Sequence, residues 1–199
     1  MTNSPSDLND LIGSRICHDL ISPLGAISNG LELLAMSQDM SGPEVSLISE
    51  SVDNANARIR FFRIAFGSSS PGQMTGANEI ASILKDMSSG GRVKVDWQAS
   101  GDHPRREVKL VFLLMQCFET AMPWGGTITI TQTNGQWAVR GDAERIQVEP
   151  ELWQTLARAS DATHLDAAKV HFALAPRVAA DMGRQLVLES GEQAAMVRF

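Results

Sequence analysis

Two runs of apolar residues at alternating three- and four-residue spacing, joined by one turn-like segment, govern what the first third of this chain can fold into. The first is Leu20, Leu24, Ile27, Leu31 and Leu34. The second is Val45, Ile48, Val52, Ala55, Ile59, Phe62 and Phe66. Such spacing gathers the apolar side chains into one stripe of an α-helix. The segment SQDMSGP at 37–43 between them has turn composition, and GSSSPG at 67–72 ends the second run and begins a linker. Ahead of the first run, Ser4, Pro5, Ser6 and Asp7 read as a helix start. Serine caps the backbone N–H groups, proline suits the first helical position, and an aspartate favours the positive end of the helix dipole.

Two helices joined by a short loop pack antiparallel. Residues 1–70 are therefore expected to form a helical hairpin. A lone hairpin leaves much of its apolar surface wet. A second copy would cover it by completing a four-helix bundle across a twofold axis; docking against the rest of the chain is the competing solution.

Inside the first run lies ICHDLISPL, residues 16–24. A proline there has no N–H to give the carbonyl of Asp19, and its ring pushes that turn aside, so Pro23 should bend the helix beside His18. At about 100° per residue, His18 leaves the leucine stripe and shares a face with Ser14, Ser22, Gly25 and Asn29. That face of small residues lets a partner approach closely. A loop centred near Met40 sets position 18 level with about position 62, beside Arg58, Arg60, Phe61 and Arg63. Arginines at a helix C-terminus complement its dipole; together with Phe61 they also read as a basic, partly apolar docking patch for an acidic partner that carries a phosphoryl group.

Composition narrows the function classes. Seventeen Lys and Arg against 23 Asp and Glu give a formal charge of -6, the wrong sign for a typical nucleic-acid binder. Cys17 and Cys117 stand far apart in apolar patterns and read as reduced core thiols. No window is apolar enough to span a membrane, and the first residues lack the pattern of a signal peptide, so the cytoplasm is the expected location.

From residue 76 to 199 the pattern becomes mixed, and a second domain is expected. Ile80, Ile83, Leu84 and Met87 mark an amphipathic helix, and Val93, Val95 and Trp97 alternate as in a strand. Residues 108–122 are apolar almost all round, as in a buried helix. Residues 127–131 and 136–139 form a hairpin about Asn134-Gly135. Helices are expected at 150–159 and 163–182, and strands at 185–189 and 194–199. A helical layer on a mixed sheet, an α/β sandwich, follows. The fold class is α+β: a helical hairpin, then the sandwich. His103 reads as a solvated loop residue. His164 and His171 read as surface residues of the helix at 163–182, too few for a convincing metal site.

The heptapeptide HDLISPL at 18–24 resembles the H-box of histidine kinases. The longer string HDLISPLGAISNGLELL, with RIRFFRIAFG at 58–67, resembles the ChpT-type histidine phosphotransferases of bacterial phosphorelays, and the likeness runs over the whole chain. The resemblance implies that His18 carries a phosphoryl group, that Asp19 steers its imidazole, and that Ser22 lies close to the phosphoryl group. It implies a homodimer, with Ser14, Arg15, Ile21 and Gly25, opposite Arg58, Phe61 and Arg63, as the face for response-regulator receiver domains, a hybrid-kinase receiver among them. No cofactor is expected on this chain; magnesium would belong to the receiver.

The second domain resembles the ATP-binding domain of histidine kinases with its nucleotide motifs worn away. Where an asparagine-rich box should hold magnesium, the chain reads QCFETA at 116–121. Where an aspartate-and-glycine box should bind adenine, it reads DAERI at 142–146. Where glycines should meet the phosphates, it reads VHFALA at 170–175. Backbone N–H groups of glycine-rich loops cradle phosphates, and here the glycines are gone. The expected activity is therefore phosphotransfer without ATP. An ATP-dependent kinase with divergent motifs and a non-catalytic, receiver-binding dimeric adaptor are the alternatives.

Overall fold

The computed structural model of the protein describes residues 16, 19–20, 23, 25–27, 30, 43–67, 69–88, 91–158 and 165–199. The expected helix start at residues 4–7, the stripe positions Leu24, Leu31 and Leu34, Cys17, the turn at 37–42 and His164 lie outside the described residues. Ile16, Asp19, Leu20, Pro23, Gly25, Ala26, Ile27 and Gly30 are all helical. The next helix, α1, spans Pro43–Ala65 and ends where the Gly67 segment stops it.

Beyond α1 come β1 (Met74–Thr75), α2 (Ala77–Ser88), β2 (Val93–Trp97), β3 (His103–Pro104), α3 (Arg105–Ala121), β4 (Gly126–Thr133) and β5 (Gln136–Asp142). Then follow α4 (Pro150–Arg158), a 3-10 turn (Ala167–Lys169), α5 (His171–Asp181), β6 (Val187–Ser190) and β7 (Ala194–Arg198). Five strands make one mixed sheet in the order β2-β4-β5-β7-β6. Only the β2–β4 pair is parallel; the others are antiparallel. β1 and β3 form a separate antiparallel ribbon.

The turn chemistry sets the sheet register. Asn134 (φ 52°) and Gly135 (φ 78°) both adopt the left-handed conformation that a two-residue hairpin turn requires. Thr133 therefore faces Gln136, and Ile130 pairs with Val139. Side chains alternate along a strand, so Ile128, Ile130, Trp137 and Val139 all bury on the face that meets the helices. Gly141 shares that face, and a Cβ there would come within 2.6 Å of the Phe118 ring. Only glycine lets α3 lie this close.

α3 runs through the core: Val108, Leu110 to Leu114, Cys117 and Phe118 are fully buried. It explains the unbroken apolar pattern, since one side meets the sheet and others meet α1 and α5. Burial pushes the Cys117 thiol well up from its ordinary pKa, as a core thiol requires.

Two expectations change. The helix expected at 163–182 begins at His171, because Leu165 and Asp166 are not helical and the 3-10 turn precedes it. Lys169 holds that turn against the carboxylate of Glu149 at 2.7 and 3.0 Å. The apolar stripe of α1 is also not its only buried face. Ala55 and Phe62 are buried as the spacing suggests, yet Ile59 is 49% exposed and Val52 is exposed too. Phe61, Ile64 and Ala65, off that stripe, are buried against the sandwich. Docking onto the rest of the chain thus covers the C-terminal half of α1, and the sandwich and α1 share one core. No helix among the described residues is long and apolar enough to cross a membrane.

The link between α1 and α3 is a ring stack: Phe61 and Phe112 lie 4.6 Å apart at 3°. Phe61→Ala should lower unfolding free energy by about 3–5 kcal/mol, read from urea denaturation of the purified protein. A loss below about 1 kcal/mol, the scale of an exposed substitution, would mean the stack contributes nothing to the junction.

Candidate functional site

The end of α1 is held by cations from α3. The ribbon of β1 and β3 brings the start of α3 beneath α1, with the Arg105 N–H donating to the carbonyl of Gln73 at 2.8 Å. From there the Arg105 guanidinium donates to the carbonyl of Arg63 at 3.0 Å, and Lys109 Nζ to the carbonyl of Gly67 at 2.7 Å. The last carbonyls of a helix lack intrahelical donors and carry its negative dipole end, so two cations suit them. Burial is the main cause lowering the Lys109 pKa, with Arg105 nearby adding to it. Sequence reading missed both residues. The available signal was an arginine and a lysine at i and i+4 at the start of a helix whose middle is apolar.

The three arginines of α1 do not form one free basic patch. Arg60 donates to Asp86 at 2.9 Å and to Ser82 at 3.1 Å; Arg63 donates to Glu79 at 3.2 Å. Glu79, Ser82 and Asp86 recur at three and four residues, one face of α2 turned to α1. Arg58 points elsewhere and pairs with Asp19, Nη1 to Oδ2 at 3.6 Å. The Asp19 side chain is only 8% exposed, that of Arg58 43%.

Of the residues singled out in the sequence, His18, Ser14, Arg15, Ile21 and Ser22 lie outside the described residues. Gly25 is exposed, and a Cβ there would meet nothing within 4 Å among the described residues. Arg63 is exposed. Phe61 is not a docking residue: it is 1% exposed and stacked on Phe112, because α3 takes the face of α1 that a partner was expected to use.

Two histidines are also corrected. His103 is 5% exposed, its ring edge-on to Trp137 with centroids 4.8 Å apart. Pairing of Thr75 with His103 in the ribbon draws this turn inward. His171 is 1% exposed, and its Nε2 lies 3.3 Å from the Thr120 hydroxyl. Both reside in the core and neither is a surface group.

The segments compared with nucleotide motifs have other occupations. α3 and α5 pack directly on each other, with Thr120 meeting His171 and with Phe172 and Ala175 fully buried. Gln116 is buried, and its side-chain amide has no hydrogen-bond partner among the described residues. Asp142 leaves β5 on the opposite face from Gly141, so it points away from the layer of α3. Arg140 grips both its carboxylate oxygens, Nε at 3.0 and 2.8 Å and Nη2 at 2.6 Å. Beside the following loop, Arg92, Trp124, Gly125, Gly126, Glu144 and Arg145 line a cavity of about 370 Å³, with the Arg145 guanidinium 5.7 Å from the exposed Trp124 ring. Among the described residues no three His, Cys, Asp or Glu side chains converge to hold a metal ion.

The C-terminal end of α1 is thus docked onto α3, the buried central helix of a five-stranded sandwich, and known proteins resemble this chain. Residues 77–194 match the family model of the histidine phosphotransferase C-terminal domain. The chain is 31% identical over 178 residues to the protein phosphotransferase ChpT of Brucella abortus (strain 2308), spanning 85% of this chain and 84% of that protein. A 1.7 Å structure of a bacterial phosphotransferase is 27% identical, superposes with a TM-score of 0.82, and is matched over 100% of this chain and 98% of its own. The chain belongs to the histidine phosphotransferase family.

The Arg140–Asp142 pair predicts a pH effect. Hydrogen bonds from Arg140 hold the Asp142 carboxyl below its ordinary value of 3.8. A depressed carboxyl stabilises the fold above its unfolded pKa, and this is lost as pH falls through the lowered folded value. The Asp142 carboxyl carbon should titrate below 3.8 by NMR in the native protein, and Arg140→Gln should move the midpoint upward. An unchanged midpoint would remove Arg140 as the cause.

Proposed function

We propose that this chain is an intermediate in a phosphorelay that moves a phosphoryl group between receiver-domain aspartates through His18, without ATP. The observation that carries this reading is the fate of the four histidines. A residue that takes a phosphoryl group from another protein must be reachable, and burial removes His103 and His171. Of the remaining two, His18 sits in HDLISPL, and His164 has no such setting.

On this reading the neutral imidazole attacks phosphorus in line. An N–P bond forms as the P–O bond of the aspartyl phosphate breaks, and the receiver carboxylate departs with the electron pair. The reverse step on a second receiver regenerates the imidazole. Phosphoryl transfer asks for alignment and charge stabilisation more than for catalytic groups on each partner. Magnesium and its acidic pocket would come with the receiver. Ser22, four residues after His18, would lie near the phosphoryl group and could place a water for its slow hydrolysis. Ser14, Arg15, Ile21, Gly25 and Arg63 would contact the receiver, and the sandwich would orient the hairpin and offer a second contact surface. The cytoplasm, where receiver domains work, would be its location.

Independence from ATP is supported by the direct packing of α3 on α5 and by Asp142 facing away from that layer. Transfer of label from a phosphorylated receiver domain to the purified protein tests the reading. Label should reach the wild type and not His18→Ala, and none should arrive from ATP alone. Label from ATP would make the chain a kinase. A His18→Ala variant that still serves the pathway would make it an adaptor.

The domain division at 1–70 and 76–199 and the homodimer belong to the same proposal. Val52 and Ile59, a heptad apart and exposed on α1, suit a contact with a second copy. Ile59→Asp should turn a sedimenting dimer into a monomer of unchanged helicity. A wild type that already sediments as a monomer would refute the dimer.

A further inference from the structure

Arg58 differs from its two neighbours in the arginine row. At about 100° per residue it points some 160° away from Arg60, toward the side of α1 that carries Ser51 and Ala55, both buried. There it meets Asp19, the residue after His18. Arg60 and Arg63 meet α2 instead.

A carboxylate as enclosed as that of Asp19 is costly unless a cation stands beside it. The pair therefore resists separation more than an exposed ion pair would, while Arg58 keeps one side in water. Successive side chains on a helix diverge by about 100°. An anchor at position 19 consequently sets the rotation of its own helix against α1. Pro23 has no N–H for the carbonyl of Asp19, so this turn has one fewer backbone tie than its neighbours. A side-chain tie from α1 at the same residue offsets that loss.

We propose that Arg58 is a positioning residue for phosphoryl transfer, acting through Asp19 to fix the helix that carries His18, and is not a docking contact for the receiver. The inference rests on the phosphotransfer reading above. In-line transfer is sensitive to placement, and a displacement of about 1 Å can cost about 100-fold in rate. A docking contact behaves differently: its loss raises the receiver concentration needed for half-saturation and leaves the rate at saturation in place.

Rapid-quench kinetics with a phosphorylated receiver separates the two roles. Arg58→Met should lower the transfer rate at saturating receiver by about 10- to 100-fold, with half-saturation changed by less than about twofold, well below a factor of ten per 1.4 kcal/mol of lost binding. Arg58→Lys, which keeps the charge, should recover part of the rate. Asp19→Asn with Arg58→Met should be no slower than the slower single variant, because residues acting through one interaction do not add. Circular dichroism of each variant checks the fold; should Arg58→Met not fold, Arg58→Gln replaces it. A shift confined to half-saturation, or losses in the pair that multiply, overturns the positioning role. An unchanged rate overturns it as well. Absence of His18-dependent transfer in the wild type would instead overturn the phosphotransfer reading itself, and the role of Arg58 with it.

Discussion

Everything else in this molecule hangs on how the C-terminal end of α1 is seated on α3. The Phe61–Phe112 stack supplies the apolar contact. Arg105 and Lys109 occupy the terminal carbonyls that would otherwise be left without donors. Hydrophobic burial sets no direction by itself; the two cations do, because they accept only the negative end of a helix. Removing the stack would loosen the junction, and removing the cations would take away the side-chain donors of the Arg63 and Gly67 carbonyls. The ribbon of β1 and β3 makes this possible by placing Arg105 under α1 despite a separation of 42 positions from Arg63.

A second constraint is electrostatic. The arginine row looks like a free basic surface in the sequence, yet each guanidinium already faces a carboxylate. Exposed pairs such as Arg63–Glu79 contribute little stability, but together they specify which face of α2 lies against α1. The charge available to a partner is smaller than the arginine count suggests.

The sandwich keeps a buried central helix against a mixed sheet, and the segments at 116–121 and 170–175 serve packing. Phe118 fits over Gly141, His171 sits beside Thr120, and Asp142 is tied to Arg140 on the outer face. Interiors are close-packed, so these side chains contribute to the core as any others do. The domain then acts as the base on which α1 is set.

The sequence by itself determined the elements and the motif. Apolar spacing gave α1, α2 and α3, the Asn134-Gly135 pair gave the β4–β5 hairpin, and HDLISPL marked His18, because each of these signals is local. It could not show which face of α1 would be buried: the stripe with Ile59 is the more regular, yet Phe61, Ile64 and Ala65 went inward. Nor could it show that His103 and His171 are core residues, that Phe61 is closed to partners, or that Arg58 belongs to Asp19. Those outcomes depend on contacts between residues far apart in the chain, such as Phe61 with Phe112 and Thr120 with His171. A helix offers several faces of similar hydrophobicity and an arginine several reachable carboxylates, so only the tertiary packing chooses among them.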